Sequence, residues 1–65
     1  MSKLSFKAFC IENYAEHKRM NSADVFKLFE KTGLLDLLDS EYEDLHGMSF
    51  EYMMQFIDEY LEGRT

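Results

Sequence analysis

Residues 20–33 read Met20-Asn21-Ser22-Ala23-Asp24-Val25-Phe26-Lys27-Leu28-Phe29-Glu30-Lys31-Thr32-Gly33, "MNSADVFKLFEKTG", and this stretch decides the fold. Asn21 suits a helix N-cap, because its side-chain oxygen can accept from the open amides of the first turn, and Asp24 three residues on makes a variant of the capping box. Met20 and Val25 stand where a hydrophobic staple closes. Val25, Phe26, Leu28 and Phe29 form one apolar face, with Asp24, Lys27, Glu30 and Lys31 opposite. Gly33 supplies a left-handed C′ residue, and Leu34 can fold back onto Phe29. Both ends of a helix over residues 22–32 are therefore written into the sequence.

The same 3.6-residue period continues on either side. A first helix is predicted over about residues 5–18, with Leu4, Ala8, Ile11 and Ala15 on one line, Phe6, Cys10 and Tyr14 on a second, and Phe9 directed away toward Glu12, Asn13 and Glu16. Downstream, Leu34, Leu35, Leu37 and Leu38 predict a short buried helical segment. Ser40 and Glu43 make a second possible capping box, opening a turn that carries Tyr42 and Leu45 inward and stops at Gly47. Ser49 caps a last helix over residues 50–62, where Phe50, Met53, Met54, Phe56, Ile57, Tyr60 and Leu61 fill a broad apolar arc and Gly63 ends the run. The expected fold is all-α: a compact bundle of three main helices (about 5–18, 22–32 and 50–62) with one or two short helical segments between 34 and 46, forming a single domain over residues 1–65.

Bulk properties agree. A chain of 65 residues buries only about 60% of the surface that its unfolded form exposes, so every large apolar side chain matters. With 46% hydrophobic residues it is too apolar for a disordered tail, and the absence of proline, with only three glycines, favours helices joined by short turns. One cysteine cannot form an internal disulfide. The opening "MSKLSFKAFC" lacks the uninterrupted apolar core of a signal peptide, and no segment approaches membrane-spanning length. A cytoplasmic location, with no membrane partner, is expected.

The net charge of −6 is unevenly placed. Residues 1–33 carry six bases against four acids, whereas Asp36 to Glu62 hold nine acids and neither Lys nor Arg. Such a half repels phosphate backbones, so direct nucleic-acid binding is not expected. A helix-turn-helix fails on the same ground, since "LLDLLDSE" offers no Arg, Lys, Asn or Gln to base edges.

Catalytic and metal chemistry find little purchase. "FCIENYAEH" (residues 9–17) holds Cys10 and His17. Seven residues along a helix separate them by about 10 Å, whereas a nucleophile and its base must approach to about 3 Å. Cys10, among Phe6, Phe9, Ile11 and Tyr14, reads as a small core hydrophobe. His46 has no sequence-fixed relation to either residue. Neither C-x-x-C nor H-E-x-x-H spacing occurs, and "DLLDSEYEDLHG" lacks the glycine-centred ligand pattern of a calcium loop. No enzyme, cofactor or metal site is expected. The acids offer a solvated face or a docking surface for basic side chains, and aromatics among them favour docking. The candidate partner-binding residues are Phe9, Asp36, Asp39, Tyr42, Glu43, Asp44 and Tyr52.

Taken together, "FCIENYAEH", "MNSADVFKLFEKTGLLDLL", "YEDLH" and "EYMMQFIDEYL" resemble a family of short, acidic, helical bacterial proteins classed as a domain of unknown function, with Asn21 at a cap position where serine is common. That resemblance implies an accessory protein encoded beside toxins, often of ADP-ribosyltransferase type, and hence an antitoxin-like or immunity-like role. The expected function is a non-enzymatic, protein-binding module that covers a basic partner encoded nearby. The alternatives are a self-associating homodimer built on the first helix, with Phe9 in its interface, or an acidic phosphate mimic that inhibits a nucleic-acid-binding protein.

Overall fold

In a computed structural model, which describes residues 2–63, the chain folds into five helices: α1 (Lys3–Lys18), α2 (Ser22–Thr32), α3 (Leu34–Ser40), α4 (Tyr42–Leu45) and α5 (Phe50–Glu62). No strand occurs among the described residues. The all-helical bundle expected from periodicity is thus the observed one, α3 and α4 being the two short segments.

Local chemistry sets the boundaries. Asn21 accepts the Ala23 amide and Ser49 the Tyr52 amide, so α2 and α5 begin at the expected caps. The first helix starts two residues earlier than predicted, because Ser2 caps it by accepting the Ser5 amide. At its other end Arg19 takes a left-handed conformation (φ 56°). The Arg19 amide donates to the Glu16 carbonyl and the Met20 amide to the Ala15 carbonyl, a Schellman closure built without glycine. The expected capping box at Ser40 does not form. Ser40 is the last residue of α3 and its hydroxyl donates back to the Leu37 carbonyl at 3.2 Å, while Glu41 precedes α4 with no side-chain cap. Ser side chains often choose such local carbonyls over an amide ahead.

The core is a single cluster. Phe29, Leu34, Leu38, Ile57, Val25, Cys10 and Met53 are sealed from solvent, with Phe6, Tyr14, Tyr42 and Leu61 closing around them. Each large side chain buried in this way contributes about 1.5–3 kcal/mol. The burial resolves which apolar lines face inward. On α1 the Phe6–Cys10–Tyr14 line is core, joined by Ala15, while Leu4 is 77% exposed and Ala8 lies at the surface. On α2 Val25 and Phe29 are buried, but Phe26 is 44% exposed. Phe50 also stays outside, and Met20 does not bury as a staple would require. The helices offer wider apolar arcs than the core accepts. α1 packs on α2, α3 and α5, and its buried ring Phe6 meets Tyr42 edge-to-face at 5.5 Å.

Gly33 links α2 to α3 with no intervening loop. Its φ of 82° is left-handed, and its amide donates to the Glu30 and Phe29 carbonyls. Its own carbonyl then accepts the Leu37 amide inside α3. The Tyr60 hydroxyl donates to the Thr32 carbonyl at 2.7 Å and would stand 3.4 Å from a Cβ at Gly33. Gly33→Ala therefore combines a left-handed alanine, costing roughly 1–2 kcal/mol, with crowding of this tyrosine. Gly47 has no positive φ, and a Cβ there would meet nothing within 4 Å. Urea titrations should show a midpoint loss for Gly33→Ala and none for Gly47→Ala; equal effects would remove the special role of Gly33.

Candidate functional site

The acids of the C-terminal half fall into two classes in space. Asp58 on α5 is three-quarters buried and accepts the Tyr14 hydroxyl at 2.6 Å; the Lys18 ammonium lies 3.0 Å away and His17 Nε2 3.7 Å. Burial pushes the Asp58 carboxyl up, but the Tyr14 hydrogen bond and then Lys18 and His17 outweigh it, so the group ionises below the usual carboxylate range. The Tyr14 phenol moves far upward in return, first through burial and then through its bond to Asp58 and the charges of Asp58 and Glu62. Asp39 on α3 is held by Lys7 at 3.1 Å and Lys3 at 3.7 Å. The Lys7 hydrogen bond is the largest influence on its carboxyl and keeps it below the usual range. These two carboxylates tie α1 to α3 and to α5. Asp39, a candidate for partner binding on sequence grounds, thus stands against lysines of its own chain.

Asp36 and Glu59 belong to the second class. Among the described residues neither forms an ion pair, although Glu59 accepts a hydrogen bond from Gln55 at 3.2 Å. They line the same groove, where one wall is Gly33, Asp36, Leu37 and Ser40 of the α3 segment and the other is Phe56, Glu59 and Tyr60 of α5. Both walls follow the i, i+3, i+4 spacing of one helix face. The floor is apolar and each wall carries one carboxylate. Tyr52 extends the α5 wall by one turn: its ring is 46% exposed and lies nearly parallel to Phe56 (18°), with centroids 6.3 Å apart.

The remaining candidates disperse. Tyr42 is buried, edge-on to Phe6 and stacked on His46 at 4.5 Å. As part of the core wall it cannot be the exposed anchor that its place in an acidic run implied. Glu43 and Asp44 are exposed on α4, and Phe9 is 39% exposed on α1; none of the three lines the α3–α5 groove. Of the seven predicted residues the groove gathers Asp36 directly and Tyr52 through its stack on Phe56. It adds Leu37, Phe56, Glu59 and Tyr60, which by spacing alone belong to the apolar arc or to the solvated side. Their i, i+3, i+4 spacing is visible in the sequence; that α3 lies beside them is not.

Cys10 is fully buried, and burial pushes its thiol up to about 12, the reverse of what a nucleophilic thiolate requires. "FCIENYAEH" is core wall at Cys10 and Tyr14, as expected. His46 Nδ1 donates to the Tyr42 carbonyl at 2.8 Å, and His17 stands beside Asp58. No group of three or more His, Cys, Asp or Glu side chains converges among the described residues in a way that could hold a metal ion. A second groove, between α1, α2 and α3, is lined by Leu4, Ala8, Ile11, Phe26 and Leu35 with Lys7 at its edge. No helix among the described residues is long and apolar enough to cross a membrane.

A family model described as "Protein of unknown function (DUF3791)" matches residues 5–64, and the chain belongs to that family. No curated protein and no solved structure matches it.

The paired carboxylates set the acid response. Asp39 and Asp58 ionise at lower pH in the folded chain than the unfolded value of about 3.9, so their stabilisation is complete above that value and is lost as pH falls through the folded one. Thermal midpoints measured from neutral pH down to about 2.5 should fall below about pH 4. Asp58→Asn should cost about 1.5–3 kcal/mol at neutral pH, the range for hydrogen bonds to a charged group, and its deficit should shrink toward acid. A deficit independent of pH would show that the charge of Asp58 contributes nothing.

Proposed function

From the groove between α3 and α5, we propose that the chain is a non-enzymatic protein-binding module that acts stoichiometrically on a basic protein partner. The observation that carries this reading is the division of the carboxylates. Asp39 and Asp58 are neutralised inside the chain, whereas Asp36 and Glu59 flank an apolar groove without a cation among the described residues. Acids that serve only solubility need no apolar floor between them. Here carboxylates, two stacked aromatic rings and a concave surface occur together, the combination that favours a desolvated anchor within a polar rim.

Charge then has two roles. The chain's net charge of −6 steers a basic partner toward it, an effect on association rate that salt screens. At the groove, Asp36 and Glu59 accept charge-assisted hydrogen bonds from the partner. A partner that binds only the folded form also raises the apparent stability of so small a domain. The resemblance of the sequence to proteins encoded beside toxins makes an antitoxin-like or immunity-like role, with a partner encoded nearby and a cytoplasmic site of action, the biological form of this proposal.

Capture of the tagged chain from its native host should return one dominant basic protein. Its yield should fall roughly three- to tenfold between about 0.05 and 0.3 M salt. Asp36→Lys with Glu59→Lys should weaken binding of that protein by at least about tenfold. Glu16→Lys with Glu30→Lys, the same change of net charge placed on α1 and α2, should have a much smaller effect. Equal losses for the two pairs would reduce the acidic surface to a general field, and self-association without any partner would overturn the reading.

A further inference from the structure

We propose that the α3–α5 groove receives an amphipathic helix of the partner, anchored by an arginine whose guanidinium lies on the Tyr52–Phe56 ledge and bonds to Glu59 or Asp36. This inference rests on the protein-binding reading above and names the occupant of that site.

Three observations select the occupant. First, the recognition mode: there is no strand among the described residues, hence no sheet edge to which an extended peptide could add. The groove instead lies between two helical stripes, residues 33, 36, 37 and 40 on one side and 56, 59 and 60 on the other, with Tyr52 one turn beyond, stacked on Phe56. A cleft of this kind accepts the apolar face of a third helix, read at i, i+3 and i+4. Second, the floor: Leu37, Phe56 and Tyr60 are each partly buried and pack against the core. They leave apolar surface for an aliphatic side chain, not for a second charge.

Third, the ledge distinguishes arginine from lysine. The rings of Tyr52 and Phe56 run nearly parallel along one side of α5, and Glu59 follows Phe56 by three residues on the same wall. A guanidinium is planar and weakly hydrated; it can lie on such a ring while its edge bonds a carboxylate with two hydrogen bonds. A lysine ammonium is a compact, strongly hydrated charge and gains less from the ledge. The partner helix is therefore expected to carry arginine and a leucine-like residue three or four positions apart. A second copy of this chain is a poorer occupant, since it would bring a net charge of −6 toward the same acids.

The test uses the full chain, 15N-labelled, and a helical peptide of about 16 residues with Leu and Arg spaced i and i+4 on one face and Ala and Gln elsewhere. Saturable shifts are expected in residues 33–40 and 52–60. The Arg peptide should bind roughly two- to fivefold more tightly than its Lys counterpart. Tyr52→Ala, at an exposed position that should leave the thermal midpoint nearly unchanged, should abolish the difference between the two peptides. Asp36→Asn and Glu59→Gln should weaken both. No saturable shifts at millimolar peptide, equal affinity for Arg and Lys, or shifts centred on Leu4 and Phe26 would each overturn the assignment. So would concentration-dependent shifts of the groove without peptide, which would give it to a second copy. A captured protein partner still held at full affinity by Tyr52→Ala would also sink the arginine anchor while leaving the binding module intact, whereas failure to capture any partner would remove the module itself.

Discussion

The left-handed backbone at Gly33 fixes where α3 lies, and much of the surface follows from that. A residue with a side chain would be strained at φ 82°, and a conventional loop would separate the two helices. With glycine, the chain leaves α2 and enters α3 at once, so Phe29 and Leu34 are both sealed in the core on either side of the turn. Tyr60 completes the arrangement by reaching from α5 to the Thr32 carbonyl, satisfying one of the carbonyls that a helix end leaves open. The same tyrosine lines the groove. The contact that closes the C-terminal end of α2 thus also fixes one residue of the α5 wall.

Electrostatics divides the molecule along similar lines. Tyr14 and Lys18 of α1 reach Asp58 on α5, and Lys3 and Lys7 reach Asp39 on α3. The bonds at Asp58 matter more per contact because that side chain is only 26% exposed, whereas Asp39 is 45% exposed and its pair with Lys3 lies in solvent, where ion pairs contribute little. Once these acids are neutralised, the remaining negative charge of the C-terminal half is spread over Asp36, Glu41, Glu43, Asp44, Glu51, Glu59 and Glu62, all exposed. Repulsion among them opposes folding of a domain with little stability to spare. A basic partner would relieve that repulsion as it binds, so recognition and stability are coupled through the same charges.

Helix caps were legible in the sequence because they are local: Asn21 needs only the amide two residues on, Ser49 only the amide of Tyr52. The buried identity of Cys10 was equally legible, since apolar neighbours at helical spacing leave a thiol no polar surroundings. Ser40 misled because two local acceptor–donor choices competed and the hydroxyl turned back to Leu37. Phe26 and Phe50 misled for a different reason. An apolar arc broader than the available core must leave one flank outside, and which flank is decided by neighbouring helices rather than by spacing. Asp39 and Asp58 illustrate the same limit for charge. Their partners stand 32 and 44 positions away, and nothing in an unbroken acidic run distinguishes the members that meet a lysine from those that do not.

The groove walls serve the core and the surface at once, which bears on how function could be separated from stability. Leu37, Phe56 and Tyr60 pack against the buried cluster, so truncating any of them leaves a void as well as an altered groove, and a binding loss would be ambiguous. Tyr52, Asp36 and Glu59 lie on the rim, exposed and joined to the interior only through neighbours. Rim residues can therefore change the partner while the floor keeps the fold. Small domains have too few large side chains to dedicate some to folding and others to binding; here α5 turns the flank that bears Asp58 toward α1 and another flank to the groove, so a single helix carries both.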